Sequence, residues 1–299
     1  MLQLGDEVSL YSVVFVVALL ATRSPVWSGV LTSSLYLFLA MFRFPQLPAG
    51  RVRQVLHPAG SGKVSVVAHR GGGHDAPENT IAAIRLASKN GASGVELDLE
   101  FSADGVPILM HDDSVDRTTN GSGPLSQLRF AELGKLDAAA KHRLRDKFTG
   151  EKIPTLEQAV EECIKLQLSI YFDVKGHPDE MRQIDPQVVT ALTHRPWSLS
   201  HFGDGSPRYS SPWKHHWLTL MDIILDWAHH HVLWKLCGIS AFLVQKNFVS
   251  HDYVQYWSQR GVEVVAWTVN NGVEKQHYQE FLKISYITDS LVEDCDPHY

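Results

Sequence analysis

The stretch GVELDLEFSADGVPILMHD, residues 94–112, decides the fold, because it joins an acidic strand to a second strand through a tight reversal. Apolar and acidic residues alternate along its first half, which is typical of a β-strand. Asp104-Gly105 is a strong signal for a two-residue hairpin turn. A hairpin centred between these two residues places Asp98 opposite His111, about 5 Å apart at Cβ.

Glu96 and Asp98 are two positions apart, so both carboxylates lie on one face of the strand. If that face is solvent-exposed, the pair is an ordinary feature of a strand whose apolar side is buried. If it is buried, the carboxylates need compensation, which a divalent cation with oxygen ligands supplies. A second apolar strand ends in Asp173 and Lys175 at the same spacing. Charged residues at the ends of several strands are typical of an active site at the rim of a parallel barrel, and they favour the metal site.

Predicted strands and helices alternate over the rest of the chain, which indicates an α/β fold with a parallel sheet, closed or open. Further strands are predicted at 64–69, 168–175, 188–192, 240–244, 262–269 and 286–290. Helices are predicted at 79–92 and 155–166, and the second opens with a capping box formed by Thr155 and Gln158.

Between the first strand and the first helix lies HRGGGHDAPENT, residues 69–80. His69 and Arg70 leave the strand at its rim, and the glycines after them let the backbone approach a ligand closely. Asn79 is predicted to cap the helix, whose N-terminus favours anions. The stretch is therefore typical of a corner that binds an anionic substrate.

Composition excludes several classes of protein. The formal net charge of −6 argues against broad nucleic-acid binding, which needs a basic face. The three cysteines are far apart, which excludes both a disulfide framework and a cysteine-rich zinc site. A length of 299 residues allows one large domain or two small ones.

The first 43 residues are predicted to form a membrane anchor, followed by a linker at 44–63 and a catalytic domain at 64–299. Residues 8–21 and 26–42 are nearly free of charge, but each run is short for a full span. They form one kinked anchor, one span with an interfacial segment, or a tight hairpin. A cleaved signal peptide is disfavoured, because Asp6 and Glu7 stand where a basic region is expected. For a single span, the arginines that follow the apolar runs predict a cytoplasmic flank, which is the opposite side from the one that the glycosylation sequon below favours.

Five motifs in this order resemble the glycerophosphodiester phosphodiesterase family. They are AHRG with PENT at 68–80, the opening stretch with DRTTNGSG, FDVKG at 172–176, AWTVN at 266–270 and ITDS at 287–290. The resemblance covers 64–292, and the hydrophobic N-terminus resembles membrane-bound animal members. It implies a TIM-type (β/α) barrel with a β-hairpin insertion after strand 2. The implied activity is hydrolysis of a glycerophosphodiester, such as glycerophosphoinositol, to glycerol 3-phosphate and an alcohol.

The resemblance also implies the roles of individual residues. They are a divalent-metal site (Glu96, Asp98, Asp173), a general acid and base (His69, His111), and phosphate-contacting cations (Arg70, Lys175), with Asn79 and Trp267 added at the substrate site. Mg²⁺ is the expected metal and Ca²⁺ the alternative. The family usually has glutamate at the position of Asp173.

One strand-helix unit of the barrel is expected to be absent. Only residues 176–187 lie between two predicted strands, and Pro178 and Pro186 leave no room for the helix that joins parallel neighbours. The apolar stretch at 217–244 carries charged residues that are costly in hydrocarbon. We therefore predict an amphipathic insertion at about 213–240, beside the active-site mouth, that touches lipid or shields the site.

Three functions stay open at this point: the hydrolase, a lysophospholipase D-like enzyme acting on lysophospholipids or N-acyl glycerophosphoethanolamine, and a weakly active or inactive membrane scaffold. The expected partners are a glycerophosphodiester or lysolipid, membrane lipid and a protein, but no nucleic acid. Asn120 begins a glycosylation sequon. It favours a plasma-membrane or endomembrane protein with a lumenal or extracellular catalytic domain.

Overall fold

The computed structural model describes residues 2–57, 64–174 and 184–296, with side chains from residue 8 onward. The strands are β1 (Val66–Ala68), β2 (Gly94–Phe101), β3 (Pro107–Leu109), β4 (Ser169–Val174), β5 (Ala191–His194), β6 (Ala241–Gln245), β7 (Glu263–Trp267) and β8 (Tyr286–Thr288). The α-helices are α1 (Leu2–Thr22), α2 (Pro25–Met41), α3 (Ala49–Leu56), α4 (Ile81–Lys89), α5 (Phe130–Leu133), α6 (Arg145–Phe148), α7 (Leu156–Leu166), α8 (Pro212–Ala228), α9 (Trp234–Leu236), α10 (His251–Ser258) and α11 (Gly272–His277).

The chain forms two compact units. The smaller unit comprises Met1–Ala49, Val189–Leu243 and Gln255–Glu263, and the larger comprises Gly50–Val188, Val244–Val254 and Val264–Tyr299.

The larger unit is built on a sheet of parallel strands, as the alternation of elements predicts, with β3 antiparallel to β2. Its strand order is β3-β2-β1-β8-β7, and β4 pairs with β2 and with no other strand that the structure describes. Helix α4 connects β1 to β2. Helix α7 precedes β4 and begins with the predicted capping box, because Thr155 Oγ1 accepts from Gln158 N and Gln158 Oε1 accepts from Thr155 N.

Both faces of β2 are buried, one in an apolar core and the other around its carboxylates. Val95 and Leu97 pack with apolar residues of α4 and α7, including Ile84. Since side chains alternate along a strand, Glu96 and Asp98 face the opposite side, where they are only 7% and 2% exposed. The solvent-exposed alternative for this acidic pair is therefore wrong.

The hairpin after β2 differs from the prediction by one residue. Leu99 pairs with Leu109, and the reversal spans three residues between Ser102 and Val106 rather than two. Gly105 takes a left-handed φ of +77°, which accommodates the extra residue. Met110 N donates to Asp98 O, so the predicted pairing of Asp98 with His111 is wrong. A slip of one residue also reverses the face on which each side chain points.

In the smaller unit, α1 and α2 pack as the tight hairpin that was one of three predicted arrangements. Ser24 Oγ caps α2 by accepting from Trp27 N, and Tyr11 meets Tyr36 edge to face, with ring centroids 5.3 Å apart. In the described part of the chain, no helix is both long enough and apolar enough to cross a bilayer. The prediction of a transmembrane anchor over residues 1–43 is therefore not supported.

Candidate active site

Three carboxylates meet where β2 and β4 run side by side in the larger unit. Glu96 and Asp98 extend from β2, and Asp173 on β4 stands in register with Asp98. Each offers an oxygen atom, and these oxygens lie within 4.8 Å of one another. The structure thus brings together the three residues predicted to bind a metal, two of them buried and Asp173 exposed.

Burial and neighbouring charges shift the titration of this cluster. Burial, followed by the charge of Asp98, raises the pKa of Glu96 to about 7. Arg70 N donates to Glu96 Oε2 at 2.9 Å, and His69 Nε2 lies 3.8 Å from the same oxygen. Because carboxylate oxygens are the ligands that hard divalent cations prefer, the donor set fits Mg²⁺ or Ca²⁺.

His69 is oriented by a carboxylate that is distant in sequence. Its Nδ1 lies 2.5 Å from Asp289 Oδ1, and Asn270 Nδ2 donates to Asp289 Oδ2 at 2.6 Å. Burial lowers the pKa of His69, but the hydrogen bond with Asp289 and the charge of Glu96 outweigh burial and raise it. The contact with Asp289 holds the ring so that Nε2 faces the carboxylate cluster.

Asp289 lies directly after β8, in the ITDS motif, and Asn270 lies three residues after the end of β7, in the AWTVN motif. Sequence reasoning assigned neither a role in orienting His69. Polar residues that follow buried parallel strands were the available signal.

His111 has its own carboxylate partner, because its Nδ1 lies 2.7 Å from Asp112 Oδ1. Arg117 bridges Asp112 and Glu78, donating from Nε to Asp112 Oδ2 at 2.7 Å and from NH1 to Glu78 Oε2 at 2.9 Å. Burial raises the pKa of Glu78, but Arg117 and Arg70 outweigh it and lower that pKa to about 2. Sequence reasoning missed this ionic network, although the PENT and HDDSVDR motifs carry it.

Arg70 is buried between carboxylates rather than open to solvent. Its NH1 donates to Glu78 Oε1 at 3.0 Å, and its Nε lies 3.7 Å from Asp98 Oδ2. The structure thus places the predicted phosphate-contacting cation beside the carboxylate cluster.

The prediction that Asn79 caps α4 is wrong. Thr80 is the N-cap, since its Oγ1 accepts from Ala83 N. Asn79 takes a left-handed φ of +57° and turns towards β2 instead. Its Nδ2 donates to Asp98 Oδ2 at 2.7 Å, while its Oδ1 accepts from Asp98 N at 3.1 Å. Asn79 therefore orients a predicted metal ligand.

Three other predicted residues lie elsewhere. Lys175 lies outside the described residues. Trp267 ends β7 half-buried, and its indole Nε1 has no hydrogen-bond partner among the residues that the structure describes. Asn120 is exposed on a loop, where its Oδ1 accepts from Asp137 N.

Comparison with known proteins shows a family match over most of the chain. The sequence model of the Glycerophosphoryl diester phosphodiesterase family matches residues 69–293. Glycerophosphodiester phosphodiesterase 1 of Mus musculus is 54% identical over 326 residues, which cover 99% of this chain and 98% of the mouse protein. The Homo sapiens protein of that name is 53% identical over the same coverage.

Solved structures share the fold. A phosphodiesterase of Oleispira antarctica in complex with the product sn-glycerol-3-phosphate has a TM-score of 0.58 at 22% identity, covering 77% of this chain and 94% of that one. A glycerophosphodiester phosphodiesterase from Agrobacterium tumefaciens has a TM-score of 0.54 at 22% identity, covering 76% and 97%. These likenesses show the predicted α/β fold of the TIM-like barrel type.

The alignment with the mouse protein is longer than this chain, since it spans 326 positions against 299 residues. Within the aligned region, the mouse protein therefore has at least 27 residues that have no counterpart in this chain. The family match covers most of the chain, and the full-length relatives are more than half identical to it. The chain therefore belongs to the glycerophosphoryl diester phosphodiesterase family of enzymes.

Proposed function

We propose that this chain hydrolyses glycerophosphodiesters such as glycerophosphoinositol to glycerol 3-phosphate and an alcohol. The observation that carries the proposal is the setting of His69. Its Nδ1 is held by Asp289, and its Nε2 faces the carboxylate cluster at 3.8 Å from Glu96. An imidazole held in this way can transfer a proton at Nε2 to or from a substrate bound beside the cluster.

Glu96, Asp98 and Asp173 would hold a divalent cation, with Mg²⁺ expected and Ca²⁺ as the alternative. When bound, such an ion neutralises the charge of the phosphodiester and the charge that develops on its oxygens during the reaction. Asn79 keeps Asp98 in place through two hydrogen bonds. Partners of this kind orient the carboxylates around the ion.

Two histidines divide the proton transfers. One takes a proton from the attacking oxygen, and the other gives a proton to the leaving alkoxide. The attacking oxygen is either that of water, which gives glycerol 3-phosphate directly, or the 2-hydroxyl of the glycerol, which gives a cyclic phosphate that water then opens. Imidazole suits both tasks, since its unperturbed pKa of about 6.5 is close to neutral pH. The carboxylates of Asp289 and Asp112 hold the rings of His69 and His111 through their Nδ1 atoms.

The first test is release of glycerol 3-phosphate from glycerophosphoinositol by the purified full chain with Mg²⁺, and again with a chelator. We expect His111→Ala and chelation each to abolish release. His74→Ala is the matched control, because His74 also pairs with a carboxylate, but with that of Glu293, which is not one of the three predicted metal ligands. Equal turnover by the His111→Ala protein would refute the proposal. No turnover from correctly folded chain would favour a scaffold, made by loss of a barrel unit.

The lysophospholipase D-like activity remains the second candidate, because α1, α2 and α8 expose many large apolar side chains. The same assay with lysophosphatidylinositol separates the candidates, since an acyl chain would increase kcat/KM only in a lipid-specific enzyme. We propose a plasma-membrane or endomembrane location with the catalytic unit on the lumenal or extracellular side. The exposed sequon at Asn120 supports this side of the membrane.

A further inference from the structure

Helix α8 in the smaller unit buries the charged residue Asp222 and exposes large apolar side chains on its other side. Asp222 is 4% exposed, whereas Trp213 is 87% and Trp217 60% exposed. A helix on a water-soluble surface shows the opposite arrangement. The exposed face of α8 is therefore built for contact with something apolar.

Hydrogen bonds and an ion pair on the side of α8 that carries Asp222 set the rotation of the helix about its axis. Asp222 accepts from Leu199 N and from Ser200 N, each at 2.9 Å. One turn later, Asp226 Oδ1 lies 3.0 Å from His194 Nε2. Rolling the helix to hide its tryptophans would break these contacts and leave charged groups without their partners.

The exposed apolar side chains form one continuous stripe. They follow the helical spacing of three and four residues that places side chains on the same face. The stripe is formed by Trp213, Trp217, Leu220, Ile224 and Trp227, all of which are exposed. It runs for about 21 Å along the helix at 1.5 Å per residue. No residue of the stripe is charged, and three of the five are tryptophan, the residue enriched where a bilayer meets water.

The segment that leads into α8, together with the first residues of the helix, carries the charge that an anionic lipid surface attracts. Residues 195–216 contain three basic side chains, those of Arg195, Arg208 and Lys214, against a single acidic one, Asp204. Lys214 Nζ lies 3.8 Å from the centroid of the Tyr209 ring. Asp204 is directed to its own turn, since Ser206 Oγ donates to it.

We propose that α8 is a membrane-docking helix that lies in the plane of an anionic bilayer, with the Trp213–Trp227 stripe at the boundary between headgroups and acyl chains. A spanning orientation would bring Asp222 into hydrocarbon, which is costly. The in-plane orientation keeps Asp222 in the protein and immerses only the stripe, as in interfacial helices. Helices α1 and α2 of the same unit also expose apolar side chains, among them Val17 and Trp27. The docking proposal rests on the membrane location proposed above and is independent of the hydrolase site.

The test places a nitroxide label on the helix of the full chain. Cysteine is introduced at Leu220 on the stripe or, as the matched control, at Asp204, in a chain whose Cys237 and Cys295 are replaced by serine. The protein is bound to vesicles of roughly 3:1 phosphatidylcholine and phosphatidylserine. We expect the label at 220 to be accessible to oxygen and protected from a water-soluble nickel chelate, and the label at 204 to show the reverse.

Three other results of the labelling experiment would contradict the proposal in different ways. Vesicle-bound protein whose label at 220 stays open to the chelate would refute docking through α8 while leaving the membrane location intact. Absence of vesicle binding would overturn both. Protection from both reagents together with spin–spin broadening would mean that a second copy covers the stripe.

A second variant keeps the proposal falsifiable without labels. Trp213→Asp combined with Trp217→Asp should weaken binding to the same vesicles at least about tenfold, or 1.4 kcal/mol. Val273→Asp, at an exposed apolar position on α11, should leave binding unchanged. Turnover of a water-soluble glycerophosphodiester, measured on the same proteins, reports separately on the hydrolase. Unchanged binding by the double variant would contradict the proposal.

Discussion

Asp289→Asn is the change whose effect on turnover the structure predicts most closely. Asn270 Nδ2 donates to Asp289 Oδ2, while Asn270 Oδ1 accepts from Asp289 N at 2.9 Å. An asparagine at 289 must therefore turn its carbonyl oxygen towards Asn270 and its NH₂ group towards His69 Nδ1. His69 then accepts at Nδ1 and carries its proton on Nε2, which is the wrong tautomer for a base at Nε2.

The expected loss of kcat is at least about a hundredfold at neutral pH. A charge-assisted hydrogen bond is worth about 1.5–3 kcal/mol, and a hundredfold corresponds to about 2.7 kcal/mol. The wrong tautomer adds to that loss, and in a serine protease it costs about 10⁴ in kcat. KM should change little, because the two carboxylate oxygens of Asp289 contact His69 and Asn270.

The assay is steady-state release of glycerol 3-phosphate from glycerophosphoinositol, with kcat and KM determined separately. Asp75→Asn is the matched control, because Asp75 is a buried carboxylate that accepts from Ser290 Oγ and Leu291 N in the same segment. The double variant Asp289→Asn with Asn270→Asp should regain activity, since an aspartate at 270 lets the asparagine turn its carbonyl oxygen to His69. A kcat close to that of the unaltered protein, or no rescue by the double variant, would refute the reasoning.

Three further predictions concern stability and metal binding. Gly71→Ala should lower the free energy of unfolding, measured in urea, by about 2–4 kcal/mol. The new Cβ would lie 2.8 Å from Ala83 Cβ, and the backbone there has a φ of +82°. Gly91→Ala is also at positive φ but has open space around it, so it should lower the free energy of unfolding by less. Mg²⁺ should raise the thermal unfolding midpoint, and an equal rise in Asp98→Asn would contradict the metal site. Burial and then His229 lower the pKa of His194 to about 4. As pH falls, the imidazole of His194 is therefore protonated in the unfolded chain before it is protonated in the folded one. The free energy of unfolding should fall by up to about 3 kcal/mol as pH drops from about 6.5 to 4. If His194→Asn showed an equally steep dependence of this free energy on pH, His194 would not be its origin.

Local sequence determined those features that depend on a few neighbouring residues. The spacing of Glu96 and Asp98 places both carboxylates on one face of β2, since side chains alternate along any strand. The capping box of Thr155 and Gln158 starts α7 for an equally local reason, because each side chain satisfies a backbone group of the other. The motifs around His69 and Asp173 indicated the family, which the comparisons confirmed.

Tertiary structure decided what depends on register and packing. An extra turn residue shifted β3 by one position, so that His111 pairs with Asp112 rather than standing opposite Asp98. His69 and Asp289 are 220 residues apart, and only the parallel pairing of β1 with β8 brings them together. Asn79 is adjacent to the helix cap, but packing turned it to Asp98. Spacing along the chain specifies a face or a cap because these arise within a few residues. It does not specify which strands become neighbours, since that depends on the burial of the whole sheet.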